Sequence, residues 1–217
     1  NSTCFWFALV VGVSSPVFFC LRLVLFLGPL QQKDPLFVMG AAADERYLEY
    51  VVLGGSLIPP INFGIVEENL YRSGMPNELN FPFLEKLELK TIVNLASEEP
   101  SQQFLNFVSD HNIDMVNLGG VGLSLSWKSM SEEVVLTAMD TILDTSTYPL
   151  LIMCHLGRHQ TGTVVGCMRK LQRWNLTAVF EEYRSFAGSK VRLLSEQFIE
   201  LFDTDLVRIP PSPPPWL

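Results

Sequence analysis

The residues best equipped for chemistry are consecutive: Cys154-His155-Leu156-Gly157-Arg158-His159-Gln160-Thr161-Gly162. They follow a short, wholly apolar run, Pro149 to Met153, and lead into an amphipathic one from Thr161 to Trp174, with Val164, Val165, Met168 and Leu171 on one face. A buried strand feeding a tight turn into a helix makes a site for an anion. Such a turn converges backbone N–H groups on one point, and the helix adds the positive end of its dipole. Gly157 and Gly162 allow the close curl. Cys154, at the mouth, is the candidate nucleophile, because a thiolate can attack phosphorus and form a covalent phosphocysteine. Thr161 is placed to hydrogen-bond that thiolate and help it leave. His155, Leu156, Gly157, Arg158, His159, Gln160 and Gly162 are the expected phosphate cradle, with Arg158 and His159 as a cationic pair suited to a polyanion.

An isolated cysteine at a strand end is ordinarily core packing, and Cys167 is read that way. The surrounding Gly-Arg-His-x-Thr-Gly sets Cys154 apart. The four cysteines, Cys4, Cys20, Cys154 and Cys167, form neither a CxxC pair nor a disulfide framework. With His111, His155 and His159 they give no zinc spacing, so no metal and no cofactor is expected. This cysteine usage fits a reducing compartment, and a cytoplasmic location is the expectation. The chain carries 15 Lys+Arg against 23 Asp+Glu, a net charge of −8. That argues against nucleic acid and an anionic membrane as general partners, but not against a phosphorylated substrate held in one local pocket.

The chain has 217 residues, enough for one α/β domain with a proper core. Strands are predicted at 62–66, 70–74, 90–95, 113–118 and 149–153. Helices are predicted from Asn80, read as a cap, through Leu89, and over 101–112, 177–186 and 193–202. A further helix, from Ser131, carries Glu132 and Glu133 in its first turn and Val135, Ala138, Met139 and Ile142 on its inner stripe. Gly119 to Met130 reads as a loop. The alternation implies a central, partly parallel sheet flanked by helices.

Around this domain, placed at 56–209, lie three other segments. Residues 1–38 are apolar, with Arg22 the first charge. They are read as translated non-coding sequence ahead of a start at Met39, with a membrane anchor as the alternative; a secretory signal is disfavoured by the lack of early Lys or Arg. Residues 39–55 form a lead-in. Residues 210–217 are a proline-rich tail, read as a solvated end or, alternatively, a docking segment.

At the loop and at several other places the chain resembles the plant and fungal atypical dual-specificity phosphatases, most of all the fungal oxidant-induced cell-cycle-arrest branch. The resemblance spans about Pro59 to Leu217. It is carried by Pro59-Pro60-Ile61-Asn62-Phe63, Leu70-Tyr71-Arg72-Ser73-Gly74, Asn80-Phe81-Pro82-Phe83, Leu89-Lys90-Thr91-Ile92, Gly157-Arg158-His159, Glu182-Tyr183-Arg184-x-Phe186 and Pro215-Trp216-Leu217. It implies the cysteine-phosphatase fold and hydrolysis of phosphate monoesters or inositol pyrophosphates. It also implies association with related phosphatase-like proteins.

The chain departs from that pattern in three places. The family's Cys-x5-Arg would put arginine at 160, where this chain has Gln160. A neutral amide replaces a permanently charged, bidentate fork. Position 153, often histidine in such loops, is Met153. Between Met115 and Met130, where a general acid is expected, there is no Asp or Glu; Asp114 and Glu132 flank the gap. The expected function is therefore a cysteine-dependent phosphatase with impaired catalysis. The alternative is a pseudophosphatase that binds a phosphorylated ligand or scaffolds a complex.

Overall fold

The structure, a computed structural model, describes residues 57–119 and 130–217. The readings of residues 1–38 and 39–55, and most of the loop before Met130, lie outside the described residues.

Five strands form one sheet: β1 (Gly64–Glu67), β2 (Leu70–Gly74), β3 (Thr91–Asn94), β4 (Asp114–Asn117) and β5 (Leu150–Cys154). Their order is β1-β2-β5-β3-β4. The β1–β2 hairpin is antiparallel, and β2–β5, β5–β3 and β3–β4 are parallel. The helices are α1 (Phe81–Lys86), α2 (Gln102–Asp110), α3 (Glu132–Leu143), α4 (His159–Leu171), α5 (Leu176–Ala187) and α6 (Leu193–Leu201). The expected α/β class and partly parallel sheet are what the structure has, with three of the four pairings parallel.

β5 is central and buried along its whole length, so its side chains must suit two different cores. Leu150, Ile152 and Cys154 alternate onto the face packed by α3, α4, α5 and α6, among Val135, Met139, Val165 and Ile199. Leu151 and Met153 point to the other face, among Phe83, Leu84, Phe104 and Phe107 of α1 and α2. The period of two thus separates Met153 from Cys154. Residue 153 packs in the aromatic layer behind the sheet, where Phe81 and Phe107 stack with centroids 4.5 Å apart.

Local capping explains the element bounds. Ser131 Oγ accepts from Val134 N–H at 3.4 Å, as its sequence position suggests, and Ser101 Oγ accepts from Phe104 N–H at 3.3 Å. Asn80 does not cap α1. Asn77 caps the preceding 3₁₀ turn, and the two asparagines satisfy each other's backbone N–H reciprocally. Asn80 Nδ2 is turned to the carbonyls of Ile58 and Pro59. The helix after the loop starts at His159, two residues earlier than expected, which brings Gln160 into its first turn. The tail is not a free solvated end. Pro214 is buried, Trp216 packs against the main core, and its carbonyl accepts from Gln172 Nε2 at 3.2 Å. Among the described residues no helix is long and apolar enough to cross a membrane.

Candidate active site

Cys154 ends β5 opposite Gly74 of β2. The chain then turns through His155 to Arg158 and enters α4. Gly157 makes the turn at φ +66°, the left-handed region that favours glycine. A Cβ there would lie 2.6 Å from Gly74 N and from Ser73 C, so the loop rests directly on the end of β2.

Three successive loop carbonyls are bound by donors from outside the loop. His155 O accepts from Met75 N–H at 3.1 Å, and Leu156 O from Asn62 Nδ2 at 2.7 Å. Gly157 O accepts from Arg72 Nη2 at 3.1 Å. A turn whose carbonyls are fixed outward presents its amides inward, which is the arrangement that holds an anion. The start of α4 adds the unpaired N–H groups of its first turn to the same point.

The predicted site residues are therefore brought together on one loop and one helix start, with different environments. Cys154 is 3% exposed and its thiol is free. Thr161 is fully buried; its hydroxyl has no hydrogen-bond partner, so the expected bond to the Cys154 sulfur is not formed. Gln160 is part-buried in the first turn of α4. Arg158 precedes the helix, with its Nε buried and unpartnered. His155 and Leu156 are exposed on the rim, and His155 Nδ1 lies 3.5 Å from Glu98 Oε2.

His159 differs from the expected cation. Its Nδ1 lies 3.0 Å from Tyr183 Oη, which accepts the Arg192 backbone N–H at 3.3 Å. Burial, with Arg192 and Arg158 nearby, pulls the imidazole down to about 4. At neutral pH the ring is uncharged. Tyr183 Oη has a proton to give and a second lone pair free, so its bond to Nδ1 is compatible with either neutral tautomer of the ring.

Of the two acids flanking the loop between β4 and α3, Asp114 is at the wrong end of the sheet. It is level with Thr91, which is level with Leu150 at the start of β5. Four residues of strand separate that level from Cys154, about 13 Å. Glu132 is exposed at the start of α3. A carboxylate that does reach the loop is Glu98, from the connection between β3 and α2.

Two positioning residues escaped the sequence reading, Asn62 and Arg72. Both lie in segments that carry the family resemblance, yet neither has a motif of its own. Arg72 occupies a strand position whose neighbours are all buried, where an arginine would be read as facing solvent. Instead it is 1% exposed, with its guanidinium 3.6 Å from the centre of the Phe186 ring. Among the described residues no group of three or more His, Cys, Asp or Glu side chains could hold a metal ion.

Comparison with known proteins agrees with this geometry. A sequence model described as "Tyrosine phosphatase family" matches residues 57–215. The chain is 64% identical over 160 residues to "Probable tyrosine-protein phosphatase DG1060" of Dictyostelium discoideum, covering 74% of this chain and 96% of that one. It is 59% identical over 152 residues to OCA1 of Mycosarcoma maydis, covering 70% of this chain and 96% of that one. Among solved structures, the core catalytic domain of the PP-IP phosphatase Siw14 from S. cerevisiae, in complex with citrate, superposes with a TM-score of 0.65 at 42% identity. That match covers 69% of this chain and 90% of that one. A cysteine at the end of the central strand, a carbonyl-pinned turn and a match along nearly all the described residues lead to one assignment: the chain belongs to the tyrosine phosphatase family.

Proposed function

We propose that this protein binds a phosphorylated substrate in the Cys154–Gly162 loop and hydrolyses it slowly through a phosphocysteine. Sγ of Cys154 forms a bond to phosphorus as the P–O bond to the leaving group breaks, and the leaving oxygen takes a proton. Water then attacks the phosphocysteine, releasing inorganic phosphate and the free thiol. The observation that carries this reading is the turn itself: Gly157 at φ +66°, with the carbonyls of 155, 156 and 157 each bound from outside. Inositol pyrophosphates and phosphotyrosine peptides are the two substrate classes to compare. The first is suggested by the resemblance and by the PP-IP phosphatase neighbour.

The step is slow because of Gln160. An arginine there would offer two charged donors to the equatorial oxygens of the transferring phosphoryl group, and one such donor is worth ~10²–10³ in rate. The second reading, a pseudophosphatase that binds a phosphorylated ligand, rests on the same residue together with the lack of Asp or Glu between Met115 and Met130. Phosphate release from both substrates, measured for the purified chain, Cys154→Ser and Gln160→Arg, separates the two. The expected result is slow turnover that Cys154→Ser abolishes and Gln160→Arg raises by ~10²-fold or more. Turnover that survives Cys154→Ser would sink the mechanism. A silent chain that still binds phosphate would favour the pseudophosphatase.

A further inference from the structure

We propose that Arg72, buried beneath the loop, supplies the fixed positive charge that Gln160 does not, as a positioning residue acting through Gly157. This rests on the reading of the loop as an anion cradle. Arg72 rises from β2 two residues before Gly74, the residue paired with Cys154. Its Nη2 donates to Gly157 O, and the same nitrogen would lie 3.5 Å from a Cβ at Gly162. The guanidinium thus bonds one end of the cradle's glycine-bounded arc and lies beside the other. Phe186 closes the other side of the guanidinium as a stacked ring.

What makes this more than scaffolding is an imbalance of charge. Nε and Nη1 of Arg72 are buried with no partner, and among the described residues it makes no ion pair. Glu182 acts on it electrostatically, but that carboxylate is committed to Arg169, whose Nε is 2.8 Å from Oε2. A buried, uncompensated cation is costly, and proteins seldom keep one without an anion to answer it. The groups that can answer it are the Cys154 sulfur, which acts on it electrostatically, and whatever anion the loop holds. Burial pulls the guanidinium down to about 10, opposed in part by Glu182 and Cys154, so it keeps its charge at neutral pH. Other charged or titratable groups around the site are His155, Arg158 and His159 on the loop and the start of α4, Arg169 further along α4, Glu182 and Tyr183 on α5, Arg192 beyond it, and Glu98 at the rim.

The test reads the electrostatic potential at Cys154 without needing turnover. Iodoacetate and iodoacetamide alkylate the same thiolate, one as an anion and one as a neutral molecule. The ratio of their rates, followed at the Cys154 peptide by mass spectrometry, reports local positive charge independently of how much thiolate is present. The ratio, relative to that for free glutathione, is expected to fall about tenfold in Arg72→Met. It should be kept within about twofold in Arg72→Lys, which retains the charge and loses the fork. Arg72→Gln covers the case in which Arg72→Met does not fold: it removes the charge and keeps an amide donor for the Gly157 carbonyl, and the ratio should fall about as far. If the ratio is unmoved in whichever of these neutral variants folds, the inference is overturned while the loop reading stands. A Cys154 that neither reagent alkylates would sink both.

Discussion

His159 shows how far a side chain's neighbours can override its type. In the sequence it stands beside Arg158 as a second cation, whereas in the fold Tyr183 and the surrounding burial keep it neutral. The consequence for stability has a definite sign. The folded ring titrates near 4 and the unfolded one near 6.5, so between those values the unfolded chain binds more protons. The contribution is fully present above pH 6.5 and is lost as pH falls toward 4. Because the ring is part-exposed, it amounts to on the order of 1 kcal/mol after solvent screening. Thermal melts of the parent and His159→Asn between about pH 7 and pH 4, which span that window, should therefore converge on the acid side. Parallel curves across the whole range would rule this out.

At the scale of elements, the site depends on two contacts that tie the strands to the helices. The first is the Gly157 turn on the end of β2. Gly157→Ala would force a Cβ into the Ser73–Gly74 backbone and strain a left-handed residue, a local cost of about 3 kcal/mol. Phosphate should then no longer raise the melting temperature, while the far-ultraviolet circular dichroism stays that of the parent; retained phosphate protection would contradict the reading. The second contact is Arg169 on α4. It reaches Glu67 of β1, Glu182 of α5, the Val66 carbonyl at 2.8 Å and the face of Trp174 at 4.2 Å. Arg169→Met leaves two carboxylates part-buried and unpaired and should cost ~3–5 kcal/mol in denaturant unfolding, against a surface control such as Lys190→Met. A loss under about 1 kcal/mol would mean that water takes over the carboxylates.

The elements themselves were legible in the sequence wherever hydrophobic period and capping agreed. β5 is a solid apolar run, and α3 has Ser131 at its head and Val135, Ala138, Met139 and Ile142 all buried. The loop was legible because nucleophile, glycines and helix start are contiguous. What could not be read were the groups that reach the loop from elsewhere in the chain. Asn62 and Arg72 lie 94 and 85 residues from the carbonyls they bind. No local pattern marks an arginine in a strand as inward-facing, and no spacing rule says that Asn77 rather than Asn80 caps the turn before α1.

Taken as a whole, the molecule closes its main core with its last residues. Trp216 covers that core and bonds Tyr148, whose hydroxyl donates to the Ile142 carbonyl at 2.7 Å; burial pushes that phenol's pKa up. Trp216→Ala should lower stability by about 2 kcal/mol without altering phosphate binding, read by denaturant unfolding with and without phosphate. An unchanged midpoint would return the tail to the solvated end that its prolines suggest. The acidic total and the buried arginine under the loop belong to one distribution of charge. The chain is at −8 overall, yet Arg72, with no carboxylate paired to it among the described residues, is 1% exposed. Mobile ions screen charges at the surface far more than charges under it. Acids on the outside can therefore be gained or lost over evolutionary time with little effect on the field inside the loop, and added salt should dim that field only slightly.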